Sequence, residues 1–144
     1  MKASVKNVKV KTEHQEQVEV IRYWSSLCKR LNCFREEQLF AIPNGGRRSG
    51  RNGFGMVQEG LRKGVPDLFL AVTVRDRPGL FIEMKRTKGG VLSDEQKKML
   101  AILEGEGYTT VVAYGAAEAI AAINDYVEVT DERNDNENGG ETSV

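Results

Sequence analysis

A single α/β domain, a mixed central β-sheet flanked by helices, is the fold this 144-residue chain predicts. Three observations carry that reading. Residues 13 to 32 repeat apolar side chains at helical spacing. Gly64 to Lys85 holds two short β-branched and aromatic runs around a five-residue turn. After Ser93, a helical pattern, a Val-rich strand and a second helical pattern follow one another. The order helix, strand, strand, strand, helix, strand, helix, with one extra helix before the hairpin, closes as an α/β sandwich. A chain of this length buries roughly two-thirds of its unfolded surface and folds without staples.

Met1 to Thr12 alternates Lys with small and β-branched residues and stays unassigned between a loose arm and an edge strand. The first helix runs from Glu13 to about Asn32, with Gln17, Val20, Trp24, Leu27 and Leu31 on one stripe that Val18, Ile21 and Cys28 widen. Followed back one turn, the stripe ends at Glu13, where a side chain can look into a site; Glu16 lies one residue off that line. Acids are also favourable at any helix N-terminus, so Glu13 has a structural reading too.

Gln38 to Pro43 reads as a short strand, followed by a loop from Asn44 to Gly55 that carries Arg47, Arg48 and Arg51 among five glycines. Guanidinium forks on flexible backbone suit phosphate contacts, although an ordinary mobile loop looks much the same. Met56 to Lys63 is expected to be a short helix delivering Lys63 to Gly64. Leu68 to Val74, apolar on both faces, reads as a covered central strand. Leu80 to Lys85 alternates and sends Phe81, Glu83 and Lys85 to one side. Arg86 to Gly90 is a basic loop holding Arg86 and Lys88. Ser93 opens a helix to about Glu104 with the Ser-x-x-Gln spacing of a capping box, which gives Gln96 a purely structural explanation. Tyr108 to Tyr114 is the last strand and Ala116 to Ile123 the closing helix. Residues 128 to 144 form an acidic tail with almost nothing apolar, expected to be disordered, so the domain is 1 to 127.

Zero net charge hides an asymmetry, because 20 Lys and Arg face 15 acidic residues in positions 1 to 127. The bias is strongest between Ile42 and Lys88, as suits a polyanion partner. No apolar run approaches the roughly 18 residues of a membrane span, and the first residues lack the apolar core of a signal peptide. The cytoplasm is the expected compartment. Cys28 and Cys33 have no partner at zinc spacing and read as reduced thiols.

The chemistry centres on the hairpin. Folding its first strand back along its second brings Asp67 beside Glu83 and Lys85. Two carboxylates a few ångströms apart repel each other, and a hard cation such as Mg²⁺ relieves that repulsion while keeping waters for substrate phosphate. Lys85 could then orient an attacking water and offset charge on phosphorus. A surface hairpin with ordinary exposed charges would show the same residues.

Gly64-Val65-Pro66-Asp67 followed by Glu83-Met84-Lys85 resembles the paired motif of the PD-(D/E)xK nuclease superfamily. Gly90-Val91-Leu92-Ser93-Asp94-Glu95-Gln96, then Gly107-Tyr108 before a Val-rich strand, gives an order similar to the VRR-Nuc domain of phage and bacterial stand-alone nucleases and of the Fanconi-associated nuclease. The similarity spans about Glu13 to Ile123. It implies a restriction-endonuclease-like core and a metal-dependent endodeoxyribonuclease. Asp67, Glu83 and the Met84 carbonyl would ligate Mg²⁺ or Mn²⁺, Lys85 would act on the water, and Glu13 and Gln96 would belong to the catalytic set. Asn44, Arg47, Arg48, Arg51, Lys63, Arg86 and Lys88 are the expected DNA contacts. Short stand-alone members resemble Holliday junction resolvases and tend to be homodimers, which points to four-way or otherwise branched DNA. A monomeric flap or end-directed nuclease and a non-cleaving DNA-binding module are the alternatives.

Overall fold

The structure, a computed structural model, describes residues 9–43 and 55–128. Helix α1, Glu13–Leu31, is fixed at its start by a reciprocal capping box: Thr12 Oγ1 accepts from the Gln15 N–H at 3.2 Å and Gln15 Oε1 accepts from the Thr12 N–H at 3.0 Å. It ends on Asn32 in the left-handed region, φ 50°. Three strands follow, β1 (Leu39–Ala41), β2 (Leu68–Leu70) and β3 (Leu80–Lys85), then α2 (Asp94–Gly105), β4 (Thr109–Tyr114) and α3 (Ala116–Val127). The strand order is β1-β2-β3-β4, with β1/β2 and β2/β3 antiparallel and β3/β4 parallel. This is the expected mixed α/β sheet, and α2 is the crossover that the parallel pair requires.

One face of the sheet is apolar. Leu68, Leu70, Leu80 and Ile82 are essentially buried and meet Val20, Trp24 and Leu27 of α1 and Ala119 and Ile123 of α3. By strand alternation the opposite face carries Phe40, Phe69, Phe81, Asp67, Glu83 and Lys85. The first turn of α2 lies over that face, since Gln96 reaches Glu83.

Several expectations are corrected. The first hairpin strand leaves the ladder after Leu70, with only an isolated bridge at Val74–Arg77, because the continued register would set Val72 opposite Pro78, which has no N–H to donate. The Val72 carbonyl accepts instead from Tyr126 Oη of α3 at 2.7 Å. The helix expected over Met56 to Lys63 is a single turn at 55–58, after which the Leu61 N–H closes back on the Met56 carbonyl at 2.8 Å. The expected alternation of β3 is masked: Glu83 and Lys85 are buried like the apolar residues between them, because α2 covers their face. Glu128, assigned to the tail from the sequence, is the C-cap of α3 and pairs with Arg75 at 3.0 Å. Cys28 is buried and Cys33 exposed, both free. No helix among the described residues is long and apolar enough to cross a membrane.

Candidate active site

The hairpin register decides which polar residues meet. With Leu68 opposite Ile82, Asp67 falls opposite Glu83 one step further along. Asp67 Oδ2 accepts the Met84 N–H at 2.7 Å, which ties the carboxylate to the strand that bears its partner. A strand residue sends its N–H and C=O to the same side, so the Met84 carbonyl is directed towards Asp67 as well.

Glu83 is 2% exposed. Its Oε1 accepts from Lys85 Nζ at 3.1 Å and from Gln96 Nε2 at 2.5 Å. Gln96 is held from the other side, because its Oε1 accepts from Lys85 Nζ at 3.0 Å and from the Ser93 N–H at 2.9 Å. Two donors on Oε1 leave the amide nitrogen facing Glu83, so hydrogen bonding fixes the amide's orientation. The capping box of α2 is completed by Ser93 Oγ, which accepts the Gln96 N–H at 3.2 Å. Gln96 therefore caps α2 and at the same time bridges Glu83 and Lys85.

Gly64 locks the loop before Asp67 to this helix. It sits at φ +85°, and a Cβ there would come within 2.4 Å of the Glu95 carbonyl oxygen and 2.8 Å of the Gln96 nitrogen. Only glycine permits that approach.

Glu83 shows what the arrangement lacks. Burial and then the Asp67 charge push its carboxyl up to about 7, against the opposing pull of Lys85 and with a small further push from Glu13. Its second oxygen, Oε2, is buried with no hydrogen-bond partner among the described residues. Leaving such an oxygen unmatched is costly. A divalent cation would both satisfy it and relieve the repulsion from Asp67, so the residues fit one. Asp67, Glu83 and the Met84 carbonyl would hold it, an all-oxygen set suited to Mg²⁺ or Mn²⁺. No group of three or more His, Cys, Asp or Glu gathers among the described residues, so such an ion would complete its shell with backbone oxygen and water.

Glu13 is exposed on the first turn of α1, close enough for its charge to act on Glu83. Lys63, Arg86 and Lys88 are exposed, the last two on the loop after β3 and Lys63 beside Gly64. Asn44, Arg47, Arg48 and Arg51 lie outside the described residues. Glu16 was passed over by the sequence reading and is buried. Its Oε2 accepts the Ala116 N–H at 2.8 Å, and Oε1 takes the Thr87 hydroxyl at 3.4 Å. The signal was available: stepping back four residues from Trp24 to Val20 leads to Glu16. Gly115, the N-cap of α3, has no side chain with which to cap it. Glu16 supplies that cap from across the fold.

A buried glutamate and lysine at the end of a central strand, a half-buried aspartate beside them and a glutamine from the covering helix mark a nuclease-type α/β domain with a restriction-endonuclease-like fold. Within that class the chain belongs to the VRR-NUC domain family, whose model matches residues 3–117. A solved structure described as a VRR_NUC domain protein superposes with a TM-score of 0.69 at 24% identity, over 86% of this chain and 94% of its own, which shows the shared fold. No curated protein matches the chain.

Proposed function

We propose that the protein is a Mg²⁺- or Mn²⁺-dependent endodeoxyribonuclease acting on branched DNA in the manner of a Holliday junction resolvase, as a cytoplasmic homodimer. The observation that carries the reading is the unpartnered, buried Oε2 of Glu83 beside Asp67, joined through Oε1 to Lys85 and Gln96. A cation held there would supply Lewis acidity towards a phosphate oxygen and lower the pKa of the attacking water. Lys85 orients that water through its Nζ hydrogens and offsets charge gathering on the phosphoryl oxygens. Gln96 holds Lys85 in register with Glu83. The positive dipole end of α2 favours an arriving phosphate, and Lys63, Arg86 and Lys88 hold the DNA backbone on either side.

Branched DNA and a dimer are supported by the likeness to stand-alone nucleases of this kind and by symmetry, since two sites related by a two-fold axis match a two-fold junction. The test is a cleavage panel of four-way junction, flap, duplex and single strand, each with Mg²⁺, with Mn²⁺ and with EDTA. Metal-dependent cutting with the junction preferred is the expected result. Cutting of flaps alone would favour the monomeric end-directed alternative, and binding without cutting under every condition would reduce the protein to a DNA-binding module.

A further inference from the structure

The face of the sheet that carries the carboxylates also carries a row of aromatic rings which the catalytic proposal does not use. Phe40, Phe69 and Phe81 stand opposite one another on β1, β2 and β3. Phe69 lies against Phe81 with centroids 4.4 Å apart and tilted, and Phe40 meets Phe69 edge-on at 5.6 Å. Tyr108 closes the far end, edge-on to Phe81 at 5.1 Å. Asp67 and Glu83 form the next row on the same face, one pleat repeat or about 7 Å along the strands. Phe69 and Phe81 are half-buried, but Phe40, on the edge strand β1, is 45% exposed.

We infer that Phe40, propped by Phe69 and Phe81, is a stacking platform for an unpaired nucleobase one or two nucleotides from the scissile phosphate; this rests on the proposed nuclease reading. Two strands of lateral offset at about 4.8 Å each, plus one pleat repeat, put the ring about 12 Å from Glu83. That is the reach of a splayed single strand and too far for a base still stacked beside its own phosphate. Lys63 beside Gly64, and Arg86 and Lys88 on the loop after β3, are exposed and complement a phosphate backbone that passes the carboxylates. Of the four rings in this row only Phe40 is exposed, a target the size of one ring, whereas a stable protein interface buries about 800 Å² per partner. A base matches it and a protein patch does not. Branch points supply such bases, because nucleotides at a junction or flap unstack at lower cost than those inside a duplex.

The full chain and its Phe40→Leu and Phe40→Tyr variants are titrated in EDTA with two DNAs of equal length. One is a fully paired duplex; the other is a flap with two unpaired nucleotides at the branch, one of them 2-aminopurine. The wild type and Phe40→Tyr are expected to quench the 2-aminopurine. Phe40→Leu is expected to lose the quenching and about tenfold in affinity for the branched DNA, with duplex binding unchanged. Unquenched fluorescence with the wild type, or equal losses on both DNAs, would overturn the inference, and so would a shift of Phe40→Leu to a smaller species in sedimentation, which would make the row a contact between copies. Parallel cleavage assays separate this inference from the reading beneath it. Phe40-dependent quenching in a protein that cuts nothing keeps the platform and sinks the nuclease, whereas metal-dependent cutting by a protein that does not quench does the reverse.

Discussion

Glu83 carries opposing demands within one side chain. In the unfolded chain its carboxyl titrates at the ordinary 4.5, and in the fold burial and Asp67 move it up to about 7. Between those values the folded protein binds the extra proton, so its stability falls as pH rises from about 4.5 to about 7 and this contribution is constant beyond. The span corresponds to something on the order of 3 kcal/mol. In EDTA, Glu83→Gln should therefore flatten the pH dependence of urea unfolding across that window and stand above the wild type at pH 8. Parallel wild-type and variant curves would show that Glu83 is not the group responsible. The same tension suits a residue that waits for a cation, because its ion pair with Lys85 leaves Oε2 unmatched.

Among the elements, α2 and the hairpin make the site and α1 supports it from behind. Gly64→Ala should push the first turn of α2 away from Asp67, since the new Cβ would overlap the Glu95 carbonyl and the φ of +85° is strained for any side chain. A loss of more than about 1 kcal/mol in denaturant melts together with a fall in cleavage is expected; near wild-type values in both would show that the loop and helix are not coupled. Glu16→Ala should cost about 1–2 kcal/mol by leaving the start of α3 uncapped. Unfolding measured beside Glu16→Gln, which keeps an acceptor, checks this, and equal losses would point to lost charge and not to the hydrogen bond. These two residues also mark how far the sequence could be read. The hairpin, the α2 capping box and the meeting of Asp67 with Glu83 and Lys85 were legible because turn chemistry, register and capping are local, whereas the place of Gln96 beside them was implied only by the family resemblance. Glu16 was not, because its partner N–H lies 100 positions away; the Tyr126 hydroxyl that satisfies the Val72 carbonyl was hidden for the same reason, since it arrives from the last helix. The Phe40-Phe69-Phe81 row needed the pairing of β1 with β2, which no local pattern fixes.

At the scale of the whole molecule, the proposed function assigns the exposed Lys63, Arg86 and Lys88 around the site to contacts with the DNA backbone. Arg86→Ala or Lys88→Ala should weaken binding to all sequences alike and reduce the salt slope by about one phosphate contact, because exposed side chains on a surface loop offer charge without a fixed donor array for reading base edges. A substitution that redirected cutting between sequences on the same branched DNA would contradict this.

The most direct measurement is single-turnover cleavage of a branched DNA in Mg²⁺ by the wild type and by Asp67→Ala, Glu83→Ala and Lys85→Ala, with binding of the same DNA measured in EDTA. In the proposed function all three side chains serve the cation, the water and the phosphoryl group, and none belongs to the apolar core. Each variant should therefore lose cleavage by about a hundredfold or more while remaining folded and bound. Two of the three variants cutting at close to the wild-type rate would contradict the assignment of this site.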